Sequence, residues 1–266
     1  MKNTIIITAA AVLCLSSFGF AAEANVPDVN EIVAKANLAA YYQGDDGRAK
    51  VTMTITDKKG DVRNREFVIL RKDVKDGGDQ NYYVYFLKPA DVYRMVFMVN
   101  KHAADNVDDD RWLYLPALDL VRRIAAGDKR TSFVGSDFLY EDVSGRNPNE
   151  DFHTLADVNA TMFVIKNTPK KPDSVEFSYY LVYVDRKNYM PMKMEYFDKQ
   201  GRLYRTIESL EVQDISGFPT VTKAKVSDLN TGSTTLMEFG DVRYNIGIGD
   251  IFTERYLRRP PAQVRR

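Results

Sequence analysis

Hydrophobic and polar positions alternate along most of this chain. Over residues 50–56, Val51, Met53 and Ile55 alternate with Thr52 and Thr54, the two-residue period of a strand with one buried face. The pattern predicts further strands at 62–71, 82–87, 93–99, 111–115, 118–124, 161–167, 175–185, 190–197, 203–212, 220–229 and 233–242. Strands 82–87 and 93–99 are apolar on both faces. Most connections are short and carry Gly, Pro, Asn or Asp, as antiparallel hairpins require. A different period marks residues 26–43. There Ile32, Val33, Ala36, Ala39 and Ala40 recur at helical spacing, with Pro27 near the start and Asp28 or Asn30 available as the cap. Between 125 and 157 the alternation lapses into Gly, Asp, Ser and Asn. This reads as a long excursion with a short helix at 136–140, capped by Ser136 or Asp137. The basic tail 255–266, with Pro260-Pro261, is expected to be exposed or frayed.

The expected class is mainly β (α+β): a curled antiparallel sheet of about eleven strands with one long N-terminal helix. A sheet that large twists, then curls or closes, and its concave face can take the helix as a cover. No linker divides the chain, so residues 22–266 are expected to form a single domain.

The concave face has a distinctive side-chain supply. In the strand at 175–185, Val175, Phe177, Tyr179, Leu181 and Tyr183 share one side. In the next, Met190, Met192, Met194 and Tyr196 share one side. Met53, Met95, Met98, Met162 and Met237 also fall in predicted strands, although methionine is not a preferred strand former. Flexible thioethers suit a wall that accepts varied apolar ligands; an ordinary filled core is the alternative. The 16 Tyr and 14 Phe add large apolar rings, the tyrosines with a hydroxyl that can face water or a headgroup.

Composition narrows the chemistry. With 37 basic and 37 acidic residues the chain lacks the basic excess of a nucleic-acid binder. Lys2, the apolar run at 5–15 and small residues after it form a signal peptide over 1–21, with cleavage after Ala21 or Ala24, which places the mature chain in the periplasm. An uncleaved anchor is the alternative. Cys14 lies inside the apolar run behind Leu13, an arrangement unlike a lipoprotein signal, and the mature chain holds no cysteine for a disulfide. His102 and His153 are its two histidines. Without a G-x-S-x-G elbow, a His/Cys cluster or an EF-hand loop at Asp105, Asp108, Asp109 and Asp110, no enzyme, metal or cofactor is expected.

Two strings resemble a known family. Arg111-Trp112-Leu113-Tyr114-Leu115-Pro116-Ala117, followed by Val121-Arg122-Arg123-Ile124, is similar to the central signature of the LolA-like outer-membrane lipoprotein-sorting proteins. Phe133-Val134-Gly135-Ser136-Asp137-Phe138 and Tyr140-Glu141-Asp142 resemble its companion motif. The resemblance implies an incomplete barrel with a helical lid over a hydrophobic cavity. It implies a monomeric periplasmic carrier that takes a lipid or lipoprotein toward the outer membrane, with transient membrane contact and an RND-superfamily inner-membrane exporter as partner. A non-catalytic envelope scaffold without a lipid ligand is the alternative. Under the carrier reading the expected lining is Met53, Ile55, Tyr93, Met95, Phe97 and Trp112, then Tyr114, Phe177, Tyr179, Leu181, Met192 and Met194. Arg122, Arg123, Asp137, Phe138 and Tyr140 are the expected lid or partner contacts. Asp137, Glu141 and Asp142 are expected to pair with Arg122, Arg123 or Arg130.

Overall fold

A computed structural model describes residues 26–265; the expected signal peptide and Cys14 lie outside the described residues. Helix α1 (Val29–Tyr41) begins where Asp28 accepts a hydrogen bond from the Asn30 N–H at 2.8 Å. Strands β1 (Asp46–Thr56), β2 (Val62–Asp73), β3 (Gln80–Lys88), β4 (Val96–Lys101), β5 (Asp110–Leu115) and β6 (Leu120–Ile124) follow. A crossing segment then contains helix α2 (Tyr140–Ser144). Strands β7 (Asp151–Val158), β8 (Met162–Pro169), β9 (Phe177–Asp185), β10 (Pro191–Asp198), β11 (Leu203–Ile215), β12 (Phe218–Asp228) and β13 (Ser233–Tyr244) complete the sheet, and helix α3 (Glu254–Arg258) lies in the tail.

All thirteen strands belong to one antiparallel sheet in the order β6-β5-β4-β3-β2-β1-β13-β12-β11-β10-β9-β8-β7. Two meanders are thus joined at the middle, where Val51 of β1 faces Phe67 of β2 and Phe239 of β13. The sheet curls but does not close: β6 and β7 are free edges. The strand absent from the sequence reading is β7. On this edge strand only Asp151 is fully buried while Phe152 is 62% exposed, so it carries no apolar alternation.

Most of the inner face of the first meander is filled. Val51, Met53 and Ile55 pack with Phe67, Val84, Phe86, Phe97, Leu113 and Phe133. Phe133 comes from the crossing segment, and its ring lies 5.5–6.2 Å from those of Phe67, Phe86 and Phe97. The outer face of the same strands is covered too. Val68, Leu70, Tyr83, Tyr85, Val96 and Met98 pack against Ile248, Ile251, Phe252, Leu257 and Val264. The tail is therefore not frayed. Pro260-Pro261 and the arginines mask the buried Leu257 and Val264; the Tyr83 hydroxyl donates to the Tyr256 carbonyl in the tail, and Asp46 accepts from the N–H groups of Ile246 and Ile248 in the segment that leads into it. This double cover explains why β3 and β4 are apolar on both sides.

The crossing segment is set by charge. The short helix is not at 136–140 but at α2, because Asp137 is drawn away to Ser233 and Thr235 on β13, at 2.5 and 2.7 Å. Glu141 on α2 is 2% exposed and bonds Lys129, Arg130 and Arg146. Arg146 also holds the fully buried Asp151 at 2.8 Å, and Arg130 reaches Glu176 beside β9 at 2.6 Å. Asp142 bonds Arg205 of β11. Of the expected pairings only Glu141–Arg130 forms; Arg122 faces Asp128 and Arg123 faces Asp110.

Burial acts to raise the Glu141 carboxyl, but Arg130, Arg146 and Lys129 outweigh it and hold the group down at about 2. Its folded value lies below the ordinary 4.5, so its contribution to stability is full above pH 4.5 and is lost as pH falls toward 2. Replacing Glu141 by Gln strands buried cations and is expected to cost on the order of 3–5 kcal/mol at pH 7. Denaturant unfolding at stepped pH should show the variant's deficit shrinking as the medium is acidified through that window; a pH-independent deficit contradicts the assignment.

Candidate functional site

Two adjoining hollows lie between α1 and the inner face. The smaller, about 160 Å³, is floored by Ile165 of β8, Tyr180, Val182 and Val184 of β9, Pro191, Met194 and Tyr196 of β10, and Ile207 of β11. The larger, about 310 Å³, lies under the C-terminal end of α1 toward Ala49, Ile69, Tyr82, Phe239 and Val242. Ala40, Tyr41, Asp142, Pro191, Met194 and Ile207 border both.

The lid leaves this space because its inward residues are small. Ile32 and Ala36 are the buried residues of α1, and Ile32 packs with Phe163, Ile165 and Val184. One to two turns further on, Ala36, Ala39 and Ala40 face the hollows where larger side chains would fill them. The C-terminal end of α1 is fixed by polar contacts. Arg71 of β2 donates to the carbonyls of Tyr41, Gln43 and Gly44 at 2.6–2.7 Å, and Gln80 of β3 donates to Tyr41 at 2.7 Å. These bonds satisfy carbonyls that a helix end otherwise leaves open.

Two β-bulges decide which side chains line the floor. At the start of β9, Phe177 pairs with Asp198 but Tyr179 pairs with Phe197, so the register skips Ser178. The Ser178 hydroxyl donates to the Asp198 carbonyl at 2.7 Å. The extra residue turns Tyr180, rather than Tyr179, to the same side as Phe177; the rings of Phe177, Tyr180 and Tyr196 lie 4.9–5.5 Å apart. On β10, Pro191 pairs with Val184 and Lys193 with Tyr183, so the register skips Met192.

The expected lining residues therefore scatter. Met194 borders both hollows. Phe177 is on the inner side but wholly buried, with the Arg130 and Arg146 guanidinium groups 4.8 and 5.5 Å above its ring. Tyr179, stacked on Phe197 at 4.6 Å, and Leu181 occupy the opposite side of β9. Met53, Ile55 and Phe97 are sealed in the filled core, with Met95 packed against it. Trp112 and Tyr114 lie on the outer face under the tail, and Tyr93 is 52% exposed in the turn before β4. Met95 and Met190 sit in connections rather than strands. Of the expected lid contacts, Phe138 borders the smaller hollow and Tyr140 packs 5.0 Å from Phe97, while Asp137 is spent on β13 and Arg122 and Arg123 are exposed. Sequence reasoning passed over Tyr180, Val182, Val184 and Ile207; the polar Ser178 interrupting an aromatic run was the signal available for the change of side.

No metal-holding cluster of His, Cys, Asp or Glu occurs among the described residues. His153 is engaged with Asn167 at 2.7 Å and the Pro148 carbonyl at 3.0 Å.

A family model described as "Uncharacterized protein" matches residues 78–259. A solved DUF1329 family protein from Desulfovibrio piger ATCC 29098 shares 29% identity with a TM-score of 0.78, over 86% of this chain and 98% of its own. An outer membrane lipoprotein-sorting protein domain from Vibrio parahaemolyticus shares 26% identity at TM-score 0.76, over 86% of this chain and 97% of its own. The chain belongs to the matched family and has the LolA-like fold. A LolA superfamily protein from Nitrosomonas europaea agrees in fold, with TM-score 0.67 at 18% identity over 87% of this chain and 100% of its own. No curated protein sequence matches. Within the LolA-like frame, both hollows lie between the helix and the curled sheet, where the lid and cavity were expected.

Gly145 makes the close fit of the lid to the crossing segment possible. It ends α2 at φ +77°, and a Cβ there would stand 2.4 Å from Cζ of Tyr41 on α1. Gly145→Ala should therefore cost on the order of 2–4 kcal/mol, combining backbone strain with the clash. Removing the ring with Tyr41→Ala should make the double variant lose less than the sum of the single losses in thermal melts. Strict additivity would mean the ring and the glycine do not oppose each other.

Proposed function

We propose that this protein is a non-catalytic carrier that holds the acyl part of a lipid or lipoprotein between α1 and the inner face of the sheet. The observation that carries this reading is the pair of adjoining apolar hollows under an alanine-faced helix, in a fold shared with a lipoprotein-sorting domain. Transfer of methylenes from water contributes about 0.8 kcal/mol each, so a bound chain supplies its own driving force. The larger hollow, about 310 Å³, lies at the lower end of the 300–1,000 Å³ usual for ligand sites, so a chain longer than it holds needs α1 to shift outward. We place the carrier in the periplasm on the sequence at 1–24 and the likeness to the sorting domain; that it acts as a monomer is part of the proposal and rests on the resemblance alone. An inner-membrane RND-type exporter as donor rests on the resemblance of residues 111–124 and 133–142 alone.

The scaffold reading draws on the filled first meander, where Phe133 occupies the inner face. Met194 separates the two, because it borders both hollows. Met194→Trp should abolish displacement of a fluorescent acyl probe while changing the melting temperature by only a few degrees. Mass spectrometry of organic extracts of the wild-type protein should recover lipid. A protein that yields no lipid, binds no acyl probe and is strongly destabilised by the tryptophan is a filled scaffold.

A further inference from the structure

A polar cup of about 230 Å³ opens on the other flank of α1. It shares Val33, Asn37, Pro148 and His153 with the smaller apolar hollow, so the two spaces meet under the helix. Its wall carries Asn30, Asn37 and Asn149, whose side chains hold no hydrogen-bond partner among the described residues. Lys101 at the end of β4 also lines it and is 3% exposed. Its ammonium donates to the Ser144 carbonyl at 2.6 Å and lies 5.0 Å over the Tyr41 ring. It makes no ion pair among the described residues, although an ammonium has three donors. Burying a charge without a counter-charge is costly, and here burial pulls the Lys101 pKa down to about 8 against the attraction of Asp109 and Glu141. Those two carboxylates are already engaged, Asp109 by Arg111 and Glu141 by its three cations. Lys101 is therefore a buried cation in the wall of a space lined with open amide groups.

We propose that this cup is a headgroup subsite, in which Lys101 and the asparagine amides receive the anionic end, carboxylate or phosphate, of an amphiphile whose chain lies in the apolar hollow. The subsite rests on the carrier reading and refines it. A free anionic lipid fits better than an acyl anchor joined by ester and amide bonds, which brings no charge to the ammonium.

Displacement of a fluorescent acyl probe from the full mature chain at pH 7 tests this, with palmitate, methyl palmitate and inorganic phosphate as competitors. Palmitate should bind roughly ten-fold tighter than its methyl ester, since a charge-assisted contact is the difference between them. Lys101→Met should remove that preference by weakening palmitate and leaving the ester unchanged, while Lys101→Arg should keep most of it. Should Lys101→Met not fold, Asn149→Leu, which lines the cup but not the apolar hollow, should reduce the preference in the same direction. Equal binding of acid and ester by the wild type overturns the subsite and leaves the carrier reading standing, as does an undiminished preference in a folded Lys101→Met protein. Phosphate that binds through Lys101 without weakening palmitate marks a site for free anions and also overturns it. If no acyl ligand binds at all, the carrier reading fails and the subsite falls with it.

Discussion

Glu141 sits among Lys129, Arg130 and Arg146 with almost no access to water, and the shape of the inner face follows from that contact. The sheet leaves β6 and β7 unpaired at opposite edges although they are consecutive in sequence. The chain between them must cross the sheet, and an irregular crossing carries polar backbone that a curled apolar face cannot satisfy. The buried charges solve this locally. Arg146 ties the crossing to Asp151 at the start of β7, Arg130 ties it to Glu176 before β9, and Arg205 of β11 takes Asp142. A buried ion network is weak evidence of net stability but strong evidence of position, because a partner that moves leaves a charge without compensation.

With the crossing fixed, the inner face divides. Phe133 is pressed onto β2, β3 and β4 and fills that half. Phe138, five residues later, reaches only the edge of the other half, where the lid contributes alanines and space is left. The strings that carry the family resemblance therefore do structural work in this chain. Trp112 and Tyr114 seat the outer face against the tail, and the string from Phe133 to Phe138 plugs the inner face and ties it to β13 through Asp137. The smaller hollow is floored instead by β8 to β11 and the larger opens toward β1, β2, β3 and β13, with Phe138 and Asp142 of the companion string at their border.

The regular elements were legible because each repeats a period: α1 and most strands lie within a few residues of the pattern that announces them. The crossing helix was displaced because Asp137, a sound cap by type, bonds a distant strand, and no local rule sees that partner. The tail was misjudged for the opposite reason: two apolar residues, Leu257 and Val264, outweigh its charge once a second face of the sheet needs covering. Site residues were harder still. A strand's alternation names two faces but not which is inner, and a single bulge exchanges them. Ser178 does this on β9, so aromatic residues read as lining, Tyr179 among them, face away while Tyr180 and Val182 face in.

The two ends of α1 are held by different physics, and on the proposed carrier reading this decides how an acyl guest gains entry. At its C-terminal end α1 is fixed by directional hydrogen bonds from Arg71 and Gln80, and breaking them strands a guanidinium and several carbonyls together. At its N-terminal half it rests on apolar contact of Val29, Ile32 and Val33 with Phe163, Ile165 and Val184. Such contact has no preferred direction, and a hydrocarbon chain replaces it with contact of the same kind, so apolar surface uncovered by the helix is covered again by the guest. A guest that slides under the apolar half keeps the polar anchor intact. One that entered from the anchored end would have to replace bonds it has no groups to make.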